Sequence, residues 1–180
     1  AVMDTNRGSW QRPDIVSRLI TKPNMVVVDL GAGTGYFADL FSKQLPEGKI
    51  IALDPETSLI TWMEERKKRG SLDNVSVHQI TENDPGLDQL SDNIDLLFVG
   101  YTYFHFDDPV TYFSEKVFPF IQDKTVVAIA DMAPVQGQPR HTVSAQQVIK
   151  EMAEAGFELT EEPTTLYDQY LIIFKKNLNR

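Results

Sequence analysis

Short runs of strand-forming residues alternate with amphipathic stretches along nearly the whole chain. Runs at Met25–Leu30, Lys49–Asp54, Val75–Ile80, Ile94–Gly100 and Thr125–Asp131 have the length and apolar content of buried strands. Between them, apolar positions at helical spacing predict helices over Gly35–Gln44, Glu56–Arg69, Pro109–Phe120 and Ser144–Ala155, preceded by one over Pro13–Ile20. Such alternation places helices on both faces of a parallel sheet, an α/β architecture. The end of the chain breaks the pattern. Phe157–Leu159 and Tyr170–Phe174 both read as strands, and Thr160–Gln169 between them carries Pro163 and no helical period. Two strands so close together should pair antiparallel. There is no internal repeat and no low-complexity tract.

The first strand leads into chemistry. Val26-Val27-Val28-Asp29-Leu30 runs into Gly31, Gly33 and Gly35 at alternate positions, and then into an amphipathic segment. Alternating glycines let backbone approach a ligand where a Cβ would collide. The ligand then lies beside the free N–H groups that open the next helix. A dinucleotide fingerprint, G-x-G-x-x-G, has two residues before its third glycine; here there is one. The second strand ends in Asp54, 23 residues after Gly31. A carboxylate there can accept both ribose hydroxyls of an adenosine, whether the ligand is a dinucleotide or another nucleoside. Asp29, ahead of the first glycine, discriminates better.

The pattern acid-x-G-x-G-x-G resembles motif I of the class I S-adenosylmethionine (SAM)-dependent methyltransferases. Asp4, Arg7, Trp10, Gln11 and Pro13 resemble the D-x-x-R-x-x-W-Q-x-P opening of a bacterial group of small members, which continues with D-(I/L)-G-A-G-T-G-Y-F. Asn74-Val75 and Asn83-Asp84-Pro85 resemble the group's third-strand region. Ile94–Leu97 followed by Tyr101–His105 resembles its motif IV, with Phe104 where a first His often stands. His141, Gln147 and Glu151–Phe157 resemble its last helix. The resemblance implies a Rossmann-like fold, a seven-stranded, mostly parallel sheet with an antiparallel last strand. It implies SAM as cofactor, held by Asp29, Gly31, Ala32, Gly33, Thr34, Gly35, Phe37, Asp54, Pro55, Glu82 and Gly100, with Asp29 near the methionine end. It implies methyl transfer and leaves the acceptor open.

The methyl of a sulfonium is already activated, so positioning the acceptor supplies most of the advantage, and a base is needed only for a hydroxyl or a protonated amine. Tyr101 and His105, in the loop after the fourth strand, are the catalytic candidates. Tyr103 belongs to the same aromatic cluster and is a candidate acceptor contact, with core packing as the alternative for Tyr103, Phe104 and Phe106. Trp10 could close over the cofactor or anchor the first helix. Arg140 and His141 lie in the loop Met132–Thr142, a natural lid, and could meet an anionic group, or His141 could instead cap or pair at the start of the last helix.

Charge and composition narrow the partners. The 180 residues fit one domain, 1–180, with 1–22 as an N-terminal lid and helix. Net charge is −9, from 17 basic and 26 acidic residues, which argues against nucleic acid and for a small-molecule acceptor. No apolar run is long enough to span a bilayer, so no membrane partner is expected. Oligomeric state is open. No cysteine is present, so there is no disulfide or thiolate metal site, and either a reducing or an oxidising compartment suits the chain. The default expectation is cytoplasmic, or periplasmic if a signal peptide was removed before Ala1. His78, His105 and His141 are far apart and Asp107-Asp108 suits a helix cap, so no metal is expected. The run Glu64–Arg69 pairs Glu64 with Lys68 and Glu65 with Arg69 at i,i+4 and reads as a solvated helix face. Two competing functions are a non-catalytic SAM-binding protein and an NAD(P)-dependent Rossmann oxidoreductase. Glycine spacing and the terminal strand pair argue against the second.

Overall fold

Five strands lie parallel in the order β3-β2-β1-β4-β5: β1 (Val26–Leu30), β2 (Lys49–Asp54), β3 (Val75–Gln79), β4 (Leu96–Gly100) and β5 (Val126–Met132). The computed structural model describes residues 13–70, 72–134, 142–166 and 168–179. Val27 and Val28 are both fully buried although they face opposite ways, as expected of a central parallel strand covered on both sides. One face packs on α1 (Pro13–Leu19), α2 (Tyr36–Gln44) and α3 (Thr57–Lys68) through Val16, Phe41 and Met63. The other packs on α4 (Pro109–Thr111) with the turns that continue it, and on α5 (Ala145–Glu154), through Phe113, Val117, Val148 and Met152.

The sheet closes with three more strands. β8 (Gln169–Lys176) runs antiparallel beside β5, with Asp131 opposite Tyr170 and Met132 opposite Gln169. β6 (Phe157–Leu159) pairs antiparallel with β8, as the sequence predicts, and so runs parallel to β5. The sheet has eight strands rather than seven, because β7 (Thr164–Leu166) also pairs with β8. β6 covers only the far end of β8, opposite Phe174–Lys176, and the open edge near Gln169–Leu171 is taken by the β-branched pair Thr164-Thr165.

The helix predicted over Pro109–Phe120 is irregular. It starts on the Asp108 cap, whose carboxylate accepts the Thr111 N–H at 3.0 Å, widens to a π-type turn at Tyr112–Val117, and ends in a 3₁₀ turn at Phe118–Phe120. Among the described residues no helix is long and apolar enough to cross a membrane.

Candidate functional site

The loop between β1 and α2 is pinned to its neighbour strand before any ligand arrives. The N–H groups of Gly31 and Ala32 both donate to the Leu53 carbonyl, at 2.8 and 3.0 Å. Gly31, Gly33 and Gly35 have φ of +75°, +58° and +76°, a conformation that L side chains rarely adopt. Their surroundings differ. A Cβ on Gly31 would come within 2.3 Å of the Thr102 side chain, whereas one on Gly33 would meet nothing within 4 Å. Gly33 therefore keeps an open space clear on the wall of a cavity.

That cavity has a volume of about 890 Å³ and sits at the carboxyl ends of β1, β2 and β4, where open α/β sheets bind ligands. Gly31, Ala32, Gly33 and Phe37 form one wall, with Gly100 and Tyr101 at the end of β4. Asp54, Pro55 and Glu82 form the next, and His105 lies on the side carried by the β4–α4 loop. Asp54 is 5 % exposed. Its Oδ2 accepts the Gly33 N–H at 2.8 Å and its Oδ1 the Glu56 N–H at 2.9 Å, so this carboxylate holds the glycine loop as well as bordering the cavity.

Four sequence-predicted site residues do not line the cavity. Asp29 is 1 % exposed and lies beneath α2, facing the Ala38 N–H; among the described residues its Oδ2 has no hydrogen-bond partner. It is expected near the methionine end of the ligand; the alternation along β1 turns its side chain toward the Ala38 N–H, near Asp54 and off the cavity wall. Thr34 and Gly35 shape the loop from behind, and their carbonyls accept the Arg66 guanidinium at 2.8 and 3.3 Å. Tyr103, expected as an acceptor contact, is instead 1 % exposed in the core, stacks on Phe113 and donates its hydroxyl to Glu151 Oε2 at 2.9 Å. Trp10, Arg140 and His141 lie outside the described residues.

Other residues at the site were missed. Arg66 belongs to the run read as a solvated face, yet it turns inward, clamps the loop carbonyls and reaches Asp39 at 3.5 Å. It sits in a run of charged residues whose neighbours pair at i,i+4, so nothing local marks it. Phe106, already named in the aromatic cluster, closes the cavity from the α4 side together with Thr111, Tyr112 and Lys116, which were not, and Lys116 is tied to Asp84 at 3.2 Å across 32 residues. Glu56, Asp107 and Asp108 add further negative charge to the lining. Among the described residues no cluster of His, Asp and Glu is arranged to hold a metal ion.

Two buried acids flank the site. Burial pushes the Asp29 carboxyl up to about 7, against the Ala38 N–H that lowers it, and the nearby Asp54 charge raises it further. Burial also pushes Asp131 up to about 6, although the Met132, Tyr103 and Phe104 amides lower it. Both values lie above an unfolded carboxyl near 3.9. The folded state therefore holds more protons, and the stability these groups contribute is full below about pH 4 and lost as pH rises toward 7. Asp29→Asn is expected to melt with wild type at pH 4 and several degrees higher at pH 8, in thermal melts followed by circular dichroism. Equal melting points at pH 8 would contradict the burial penalty.

Comparison with known proteins agrees with this fold. A sequence model of the methyltransferase domain matches residues 21–174. A SAM-dependent methyltransferase from Aquifex aeolicus of known structure superposes with a TM-score of 0.83 at 22 % identity, covering 96 % of this chain and 94 % of that one. The glycopeptide N-methyltransferase MtfA, solved with SAM bound, superposes with a TM-score of 0.73 at 13 % identity, covering 91 % of each chain. At these identities the likeness is one of fold. A curated relative, the tRNA(Phe) (4-demethylwyosine(37)-C(7)) aminocarboxypropyltransferase of Methanocaldococcus jannaschii, is 26 % identical over 129 residues, 69 % of this chain. The match spans about half of that protein, 49 % of its length.

Proposed function

This chain belongs to the methyltransferase-domain family, within the class I SAM-dependent methyltransferases, and from that premise we propose that it transfers the methyl group of SAM to a small-molecule acceptor. The observation that carries the reading is the pairing of Gly33 with Asp54. A loop glycine whose missing side chain leaves open space faces a carboxylate at the tip of β2, on the same cavity wall. Asp54 would hold the ribose hydroxyls, and the apolar and aromatic Leu59, Ile80 and Tyr112 would take the flat base. The end of the cavity at Gly31, Gly100 and Tyr101 is left for the methionine portion. When bound, SAM supplies a sulfonium-activated methyl group. The acidic lining from Asp54, Glu56 and Glu82 favours a cation of this kind over solvent.

The chain's own residues then orient and exclude water. His105, exposed on the cavity wall with its ring 4.0 Å from Phe104, is the group placed to take a proton from an acceptor hydroxyl or amine. Residues 1–180 act as one domain in this reading; α1, within the predicted 1–22 lid, packs on the sheet through Val16 and does not line the cavity.

The aminocarboxypropyltransferase acts on tRNA(Phe), so a nucleic-acid acceptor is the second reading. The net charge of −9 and the acids around the cavity weigh against a polyanion. Incubation with methyl-labelled SAM and a mixture of small metabolites and total tRNA separates the two. Label is expected in the small-molecule fraction. Label in tRNA would overturn the small-molecule acceptor, and label in neither, with cofactor bound, would favour a non-catalytic binding protein.

A further inference from the structure

A strained side chain on the cavity wall points to a residue behind it. Tyr101 has φ of +53°, a left-handed backbone that is unfavourable for a bulky side chain. Such conformations cost of order 1–3 kcal/mol and persist only where the surroundings over-determine them. Here they do. The Tyr101 N–H donates to Ala130 O at 2.7 Å, and its ring stacks on Phe37 at 5.8 Å with 14° between the planes. Its hydroxyl donates to Gln169 Oε1 at 2.6 Å.

The turn is what brings the loop after β4 against the glycine loop. The next residue, Thr102, donates its hydroxyl to Gly31 O at 3.1 Å and fills the space a Gly31 side chain would need. Gln169 is 3 % exposed and does not line the cavity. It begins β8 and its backbone is held in register opposite Met132, so the residue is placed by the antiparallel ladder rather than by a loop.

We propose that Gln169 is a positioning residue. It holds the Tyr101 ring and hydroxyl as the cavity wall beside the glycine loop, so cofactor affinity depends on the β8 ladder. The inference rests on the cofactor site proposed above. Without the amide acceptor the Tyr101 hydroxyl seeks another partner, the ring leaves Phe37, and the left-handed turn relaxes into the cavity.

The test is calorimetric titration with S-adenosylhomocysteine at a temperature far below the melting point. Gln169→Leu is expected to bind about tenfold more weakly than wild type. Tyr101→Phe, which removes the same bond without altering β8, is expected to show a similar loss. The double variant is expected to be no weaker than Gln169→Leu alone, as coupled neighbours require. Gln169→Glu keeps an acceptor oxygen at that place and is expected to stay within about twofold of wild type. A purely structural role would lower melting temperature in Gln169→Leu and leave affinity unchanged, which overturns the proposal. Additive losses in the double variant overturn it as well. Wild-type protein that fails to bind S-adenosylhomocysteine overturns the proposed cofactor site and the inference with it. Wild type that binds, alongside a Gln169→Leu that binds equally, overturns the inference alone.

Discussion

Asp54→Ala is expected to weaken S-adenosylhomocysteine binding by about 100-fold or more, because hydrogen bonds to a charged acceptor are worth about 1.5–3 kcal/mol each and a ribose offers two hydroxyls. It is also expected to cost stability. The carboxylate accepts the Gly33 and Glu56 N–H groups, and both amides lose their partner in the variant. For a chain of this size each kcal/mol moves the melting point by about 2–4 °C. Asp54→Asn keeps an acceptor oxygen, so it should melt nearer wild type while still binding weakly. Calorimetry and thermal melts on both variants read the two effects separately. Undiminished affinity in Asp54→Ala would remove this carboxylate from the ligand site.

The second large effect is a contrast between neighbouring glycines. Gly33→Val places its side chain in space that is open in the protein and belongs to the cavity. Binding should be lost outright, with a stability cost of about 1–2 kcal/mol from the left-handed backbone alone. Gly31→Val meets the Thr102 side chain at 2.3 Å and must push the two loops apart. It should therefore melt well below Gly33→Val. The paired melts and titrations are informative together. If Gly33→Val bound S-adenosylhomocysteine normally, the glycine loop would not be the cofactor cradle.

Much of the fold is legible in the sequence because its signals are local. Buried strands such as Val26–Leu30, the capping residue Asp108 and the helical periodicity of α2 and α5 each occupy one stretch of chain. The alternating glycines, with acids on either side, announce a ligand loop without tertiary information. What was missed depends on contacts between distant segments. β7 forms on an edge that β6 leaves open, and nothing within Thr164–Leu166 announces that edge. The Asp84–Lys116 pair spans 32 residues. Arg66 clamps the glycine loop, yet its sequence neighbours read as an ordinary charged helix face. Tyr103 sits between Tyr101 and His105, both on the cavity, but the 3₁₀ turn at Tyr103–His105 rotates it into the core. Gln169 carried no sequence signal at all, being one polar residue at the head of an apolar strand.

Titrating the wild-type protein with S-adenosylhomocysteine and, in parallel, with NAD⁺ decides what the cavity at the ends of β1, β2 and β4 takes. Saturable one-to-one binding of S-adenosylhomocysteine and no heat from NAD⁺ is the predicted result. Binding of NAD⁺ in its place, or no binding of S-adenosylhomocysteine, would contradict it.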